Sequence, residues 1–431
     1  MKSKILIGLI SLFSFTTVLL LSSIFTLNQF AEAARPNFTP PPVGTIVVYK
    51  VAGLPPYNHG TQIRFAEVGS TGLINPPRIL AQSQSLGLSL SQMSAVRRGG
   101  NIDIVYEIEN VTPLNLNYPT VAFKHRSYDN FMRTFVEQDL PLPQGYILRD
   151  IWTTTDQNNN LHVIATGKTG VNQLSEIKLY AIDSSNALVS TSTIPLSNLA
   201  DSISILKGAI DPSTGNIHII ANVYNVNNSF FCQRTIFVFD SITFNQVQTI
   251  SFPVCGPTIS NLQIGPQGDG AVILPDVGGN LIASYIDPIT HQWSPQVSLP
   301  LPQLAGGGTL GTYLFPGSNS PTNAFTLATT EYSSTTPDIE FKLRLSHDTG
   351  RTFLNIPVSI FSNSSVPLPI YDEFLSARFK DRPSDVPFVL GKSTPELRIF
   401  HDPGFLGQIT EYVVDQASGT QYFGDVSVVE F

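Results

Sequence analysis

The sequence predicts an all-β protein, and three observations lead there. Beyond residue 34, no stretch carries the 3.6-residue apolar period of an amphipathic helix. Short β-branched and aromatic runs alternate instead with turns rich in Gly, Pro, Asn and Asp. The same runs return on a fixed beat, so one small unit is repeated along the chain.

The chain opens with a basic tetrapeptide, Met1-Lys2-Ser3-Lys4, and then runs from Ile5 to Ile24 without a charge. Ala31-Glu32-Ala33 supplies small residues where a signal peptidase reads them, which predicts a signal peptide over 1–33 cleaved after Ala33. An uncleaved signal anchor is the alternative, since twenty apolar residues span a bilayer. The basic flank stays on the cytoplasmic side in either case, so the rest of the chain is expected outside the cell, secreted or at its surface. Residues 34–44, with Pro40-Pro41-Pro42, read as an extended stalk. Residues 45–431 are expected to form one domain.

Within that domain one strand type follows a Gly or Asn. It appears as Asn101-Ile-Asp-Ile-Val-Tyr106, Asn160-Leu-His-Val-Ile-Ala165, Asn216-Ile-His-Ile-Ile-Ala221, Gly270-Ala-Val-Ile-Leu274, Asn323-Ala-Phe-Thr-Leu-Ala328 and Val386-Pro-Phe-Val-Leu-Gly391. The starts step by 59, 56, 54, 53 and 63 residues. About 20 residues after each, an Asp marks a hairpin turn: Asp129, Asp183, Asp240, Asp287, Asp348 and Asp402. A unit of this length with four short strands is the signature of a propeller blade, so a β-propeller is expected.

Residues 45–100 hold one more unit, with strands at Ile46–Lys50 and Gln62–Ala66 and a turn at Gly69–Gly72. Dividing 45–431 by the repeat gives seven blades; a six-bladed ring with 45–80 as an appended hairpin is the alternative. The first unit lacks an innermost strand of its own, and Asp425-Val-Ser-Val-Val-Glu-Phe431 is expected to supply it. That would close the ring and leave no sheet edge open.

Charged residues make up 13% of the chain, about half the usual share, and the net charge is −8. With no Lys/Arg cluster in an acidic chain, nucleic acid is excluded as a partner. The seven His show neither His-x-His nor His-Glu-x-x-His spacing, and no Asp-x-Asp-x-Asn-Gly run is present. No metal site and no cofactor are therefore expected. His162 and His218, at equivalent mid-strand positions, read as hydrogen-bonded structural residues. No serine sits in a Gly-x-Ser-x-Gly elbow.

Cys232 and Cys255 flank a predicted hairpin, Phe231–Phe239 and Gln246–Phe252, with its turn at Thr243-Phe244. Their midpoint falls on that turn, so antiparallel pairing sets them opposite one another and predicts a disulfide in an oxidising compartment. Asn37, Asn110, Asn227 and Asn363 open N-glycosylation sequons.

Ser346-His-Asp348-Thr-Gly350-Arg-Thr352-Phe353 matches Ser-x-Asp-x-Gly-x-Thr-Phe at each defined position. It resembles the Asp box, or BNR repeat, of sialidase-like propellers. Gly350 suits a left-handed turn, Asp348 accepts turn amides, and Phe353 is expected to begin the outer strand and pack between blades. The resemblance implies that this box is structural and lies on the face away from a catalytic pocket.

A sialidase-like activity would further require three arginines around a carboxylate, a Tyr–Glu nucleophile pair and an Asp acid/base. The nearest matches to the family's arginine motif are Pro77-Arg78-Ile79-Leu80 and Leu397-Arg398-Ile399-Phe400, and neither carries the full pattern. Arg149 and Arg378 fall in expected innermost strands, Tyr146–Trp152 and Phe374–Phe379, and are the catalytic candidates. An ion pair with a neighbour such as Asp150 is their structural alternative. Tyr371-Asp372-Glu373 has suitable residue types in a loop. The reading that results is an exported, non-catalytic module that binds an extracellular glycan or protein. Leu299–Thr309 and Val366–Phe374 are its candidate rim loops, and membrane contact occurs only through an uncleaved anchor. A sialidase-like glycoside hydrolase is the alternative.

Overall fold

The computed structural model describes residues 45–429 apart from 54–59, 84–86, 112–118, 130–134, 171–172, 197–200, 226–231, 253, 255–260, 266, 277, 302–306, 317–324, 333–338, 347, 354–357, 363–372, 378–387, 393–395, 402–409 and 418–420. The chain divides into Met1–Pro42 and the compact unit Val43–Phe431. The expected signal peptide, the stalk, Asn37, Asn227, Asn363, Cys255, Tyr371, Asp372, Arg378 and Asp402 lie outside the described residues.

The first sheet contains β1 (Thr45–Gly53), β2 (Gly60–Gly69) and β3 (Gly72–Gln82). The second holds β4 (Leu88–Arg98), β5 (Asn101–Asn110), β6 (Thr120–Tyr128) and β7 (Phe135–Asp139). The third holds β8 (Tyr146–Thr155), β9 (Leu161–Thr169), β10 (Glu176–Ile182) and β11 (Leu188–Pro195). The fourth holds β12 (Asp201–Ile210), β13 (Ile217–Asn225), β14 (Cys232–Phe239) and β15 (Gln246–Phe252). The fifth holds β16 (Asn261–Ile264), β17 (Gly270–Pro275), β18 (Leu281–Tyr285) and β19 (Val297–Leu299). The sixth holds β20 (Gly308–Pro316), β21 (Phe325–Tyr332), β22 (Ile339–Ser346) and β23 (Val358–Ser362). The seventh holds β24 (Glu373–Ala377), β25 (Phe388–Lys392), β26 (Glu396–His401) and β27 (Thr410–Gln416).

The last strand, β28 (Gln421–Val429), returns to the first sheet and pairs antiparallel with β1, giving the order β28-β1-β2-β3. Among the described residues this makes seven four-stranded sheets. The strand at the inner edge of each sheet touches the next, in the sequence β28, β4, β8, β12, β16, β20, β24 and back to β28. The innermost strands therefore close a ring, and the C-terminal strand supplies the first sheet's inner member, as the repeat arithmetic predicts.

Position in the sheet explains the composition of each strand. Second strands are covered on both faces by neighbouring sheets, so Leu161–Gly167 of β9 and all of β17 are buried and read as continuous apolar runs. Outermost strands have one face in water. β11, Leu-Val-Ser-Thr-Ser-Thr-Ile-Pro, alternates half-buried and exposed residues along its whole length. The core lies in slabs between adjacent sheets. Val105, Phe123, Tyr146 and Val163 join the second sheet to the third, and Ile164, Ile203, Ile219 and Phe239 join the third to the fourth. Glycine allows the closest approaches: a Cβ on Gly208 would lie 2.6 Å from the Trp152 ring of the preceding sheet.

Among the described residues, the turns at Asp183, Asp240, Asp287 and Asp348 fall where the beat places them, between third and fourth strands, at one face of the ring, here called the lower face. Asp183, Asp240 and Asp287 each accept backbone amides two to four residues ahead. The turns after the innermost strands use the same device at Asp156 and Asp211, a recurrence the sequence reading missed. Phe244 and His291 close two of these turns with φ of +57° and +53°.

Two details depart from expectation. In the β14–β15 hairpin Arg234 faces Phe252, and an irregularity between Val238 and Phe239 shifts the register. Continuing that register sets Cys232 opposite Val254, one residue short of Cys255. The extra residue in β15 shifts the hairpin's centre from 242.5 to 243, toward the cysteine midpoint of 243.5 but half a residue short of it. Phe353 packs against the slab between the fifth and sixth sheets, but it precedes β23 and does not begin it.

Candidate functional site at the mouth of the ring

The upper face is the one at which the innermost strands begin. Five of the seven inner pairings carry a bulge or irregularity near this end: Tyr49/Val51, Leu90/Met93, Leu148/Asp150, Ile205/Lys207 and Thr309/Gly311. A bulge leaves one residue out of the ladder and re-aims its side chain, so these strands turn polar groups out of the apolar slabs near the mouth. Arg149, the residue skipped in β8, is exposed there.

Asp150 and Asp425 are each the fifth residue of an innermost strand. Asp150 Oδ2 accepts the amide of Ile205 at 3.2 Å. Burial pushes its carboxyl up to about 7; Asp425 pushes it further, while Ser204, the Ile205 amide and Arg149 pull the other way. Asp425 Oδ2 accepts the Met93 amide at 3.0 Å and lies 3.1 Å from Lys50 Nζ. Lys50 also donates to the carbonyl of Ser91 in the bulge of β4.

Behind the mouth, Glu107 of β5 is buried, and its Oε1 accepts the hydroxyl of Thr120 at 2.5 Å. Burial raises its carboxyl to about 7, although Thr120, the Gln92 backbone and Lys50 favour the ionised form. Glu109, two residues on, is raised for the same first reason. The groups brought together here are Lys50, Glu107, Asp150 and Asp425, with Arg149 in solvent beside them. Sequence reading named only Arg149 and its neighbour Asp150. A charged residue within an alternating strand such as Ile-Val-Tyr-Glu-Ile-Glu looks like an outward-facing one, and nothing local reveals that the next sheet covers it.

The other predicted residues fall away from the mouth. Arg78 lies on the outermost strand β3, over the Phe65 ring at 5.9 Å. Arg398, on the third strand β26, bonds Glu396 through Nε at 2.5 Å. His162 contacts Asp156 Oδ2 through Nε2 at 3.1 Å, and His218 Nδ1 accepts the Trp293 indole N–H at 3.0 Å. Both histidines are buried in second strands. No group of three or more His, Cys, Asp or Glu is placed to hold a metal ion among the described residues.

The Asp348 turn is fully hydrogen-bonded. Ser346 Oγ donates to Asp348 Oδ1 and accepts the Gly350 amide, both at 2.8 Å. Asp348 also accepts the Thr352 amide at 2.8 Å and the Thr352 hydroxyl at 2.6 Å. Gly350 has φ +77°. The turn lies on the lower face, away from the mouth. Asn110 ends β5 half-buried, its amide bonded to Pro119 O.

No family model matches the chain, and no curated protein matches it. Among solved structures it is similar to the periplasmic gluconolactonase of Pseudomonas aeruginosa, with a TM-score of 0.53 and 12% identity over 89% of this chain and 99% of that one. It is also similar to the β-propeller domain of the trilobed protease from Pyrococcus furiosus, at TM-score 0.45, 8% identity, and 80% and 96% coverage. A polysaccharide lyase acting as an ulvan lyase gives TM-score 0.46, 11% identity, and 88% and 93% coverage. At such identities the likeness speaks to the fold alone. The sheet order, the ring of inner strands and the likeness to the gluconolactonase together make the fold a β-propeller.

Proposed function

We propose that this protein is an exported, non-catalytic propeller that binds an extracellular glycan or protein at its upper mouth. The observation that carries the reading is the destination of the polar groups on the innermost strands. Asp425 holds the Met93 amide, Ser427 Oγ the Ala95 amide, Ser94 Oγ the Thr153 amide and Asp150 the Ile205 amide, each bond reaching into the next sheet. Carboxylates and hydroxyls used in this way fix a rigid platform and are not displayed as a convergent acid, base and nucleophile. The signal peptide at 1–33, the sequons, a Cys232–Cys255 pair and membership of the Asp-box class belong to the same proposal.

One observation favours the second reading, a sialidase-like carbohydrate-active enzyme. Asp150 and Glu107 titrate near neutrality, the range in which a carboxylic acid serves as a general acid. A glycan array combined with a fluorogenic glycoside panel that includes sialosides separates the two. Specific retention without turnover is expected. Turnover by the wild type that is lost in a folded Asp150→Asn variant would establish the enzyme instead. Intact-mass measurement of the expressed protein tests whether the chain begins after Ala33.

A further inference from the structure

Lys50 of β1 and Asp425 of β28 face each other across the strand pair that closes the ring. The register sets Tyr49 opposite Val426 and Val51 opposite Phe423, so Lys50 alone stands against Gly424 and Asp425. A two-to-one bulge of this kind re-aims the side chains within it. Lys50 Nζ ends 3.1 Å from Asp425 Oδ2, the two side chains being 12% and 35% exposed. A Cβ on Gly424 would collide with Lys50 Cε and lie 3.2 Å from Nζ. Glycine at this position leaves open the path by which the Lys50 stem crosses β28.

The bulge of β4 presents three successive residues to this pair. The Ser91 carbonyl accepts from Lys50 Nζ, the Gln92 backbone serves Glu107, and the Met93 amide donates to Asp425 Oδ2 at 3.0 Å. The Ser91 contact orients the amine. The Met93 N–H polarises the Asp425 carboxyl, as an oxyanion-hole donor polarises an acyl carbon. Glu107 is buried within the field of Lys50, and near neutrality its raised carboxyl both gives and takes protons. Lys178 and Glu176 approach to 2.9 Å as well. They lie two residues apart on one strand, however, and no backbone amide of the described residues holds Glu176 Oε1.

We propose that Lys50 and Asp425 condense into a side-chain amide that seals the ring covalently. Nζ bonds to Cγ as the bond from Cγ to Oδ1 breaks. The two protons that the ammonium sheds leave with Oδ1 as water, and Oδ2 remains as the new carbonyl on the Met93 N–H. The ion pair supplies every atom of the products, so no oxidant, cofactor or second protein is consumed. Strands that hold amine and carboxyl in contact provide an effective concentration on the order of 10⁵–10⁸ M, which favours condensation. The bond would join residues 375 positions apart, whatever the mouth binds.

The test weighs the whole folded chain after removal of any glycans and maps its peptides. The wild type is expected to be one water lighter than its sequence, with the Lys50 and Asp425 peptides recovered linked and trypsin blocked at Lys50. Under reducing, denaturing electrophoresis it should run ahead of Lys50→Arg and Asp425→Ala, both of which should have full mass. Gly424→Ala, whose methyl displaces a side-chain stem and no backbone, should slow formation of the link at least about tenfold. Circular dichroism establishes that each protein is folded. A natively folded wild type of full mass, a water loss that persists in Lys50→Arg, or a link mapped to another pair would each overturn the proposal.

Discussion

Tyr49, in the second position of the first sheet, donates its hydroxyl at 2.8 Å to Asp415 on the outermost strand of the seventh sheet. Arg64 Nη1 meets the same Oδ2 at 3.1 Å. The two residues are separated by 366 positions in the chain, so this bond exists only when the ring is closed. Beside it, β28 completes the first sheet. Closure thus has a backbone component and a side-chain component at the same seam.

Asp415→Ala should loosen that seam. It leaves the buried Tyr49 hydroxyl and the Arg64 guanidinium short of an acceptor, a loss on the order of 2–4 kcal/mol. Tyr49→Phe, which keeps the Arg64–Asp415 pair, should cost only about 1 kcal/mol. Urea unfolding midpoints measure both, and equal costs would show that Asp415 serves Tyr49 alone.

Glu107 gives a stability term with a definite sign. Its carboxyl is raised to about 7 in the fold, above the unfolded value of about 4.3. Between those values the folded state binds more protons than the unfolded one, so stability falls as pH rises through that window and levels off above it. Glu107→Gln should flatten the decline between about pH 4.5 and 7. Thermal midpoints of the two proteins across that range check it; parallel curves would reject the assignment.

His218 acts in the opposite direction. Burial holds its imidazole down to about 4, whereas an unfolded histidine titrates near 6.5. The unfolded state binds the extra proton in that window, so the stability from neutral His218 is present above about pH 6.5 and is lost as pH falls toward 4. Its imidazole resonances should stay unprotonated at pH 5.5. His218→Leu should remove this acid sensitivity while costing about 1–3 kcal/mol at neutral pH, because the Trp293 indole N–H loses its acceptor.

A disulfide between Cys232 and Cys255, the two cysteines of the chain, is expected in an oxidising compartment. Non-reducing peptide mapping of protein expressed in an oxidising compartment should recover the two peptides linked. Cys232→Ser should destabilise the fourth sheet by about 3 kcal/mol on chain-entropy grounds. Recovery of two free thiols from oxidised preparations would contradict the pairing.

Much of the architecture is written locally. The recurrence of a β-branched run after Asn or Gly, followed by an Asp turn, marks second strands and hairpins because those features depend on neighbours a few residues away. Ser346, Asp348, Gly350 and Thr352 announce their turn for the same reason: each bond of that turn spans at most four residues. The missing inner strand of the first unit was legible as an arithmetic deficit, and the tail at Asp425 as its remedy.

What the sequence alone determined, then, is the class of fold, the repeat, the direction of closure and the turn chemistry. The tertiary structure decided which polar groups meet. Asp150 feels Asp425 from 275 positions away, Glu107 is buried only because the third sheet covers its strand, and Lys50 meets Asp425 only because the last strand returns to the first sheet. Burial and the approach of distant charges set the chemistry of those groups, and neither is encoded in any short stretch of chain.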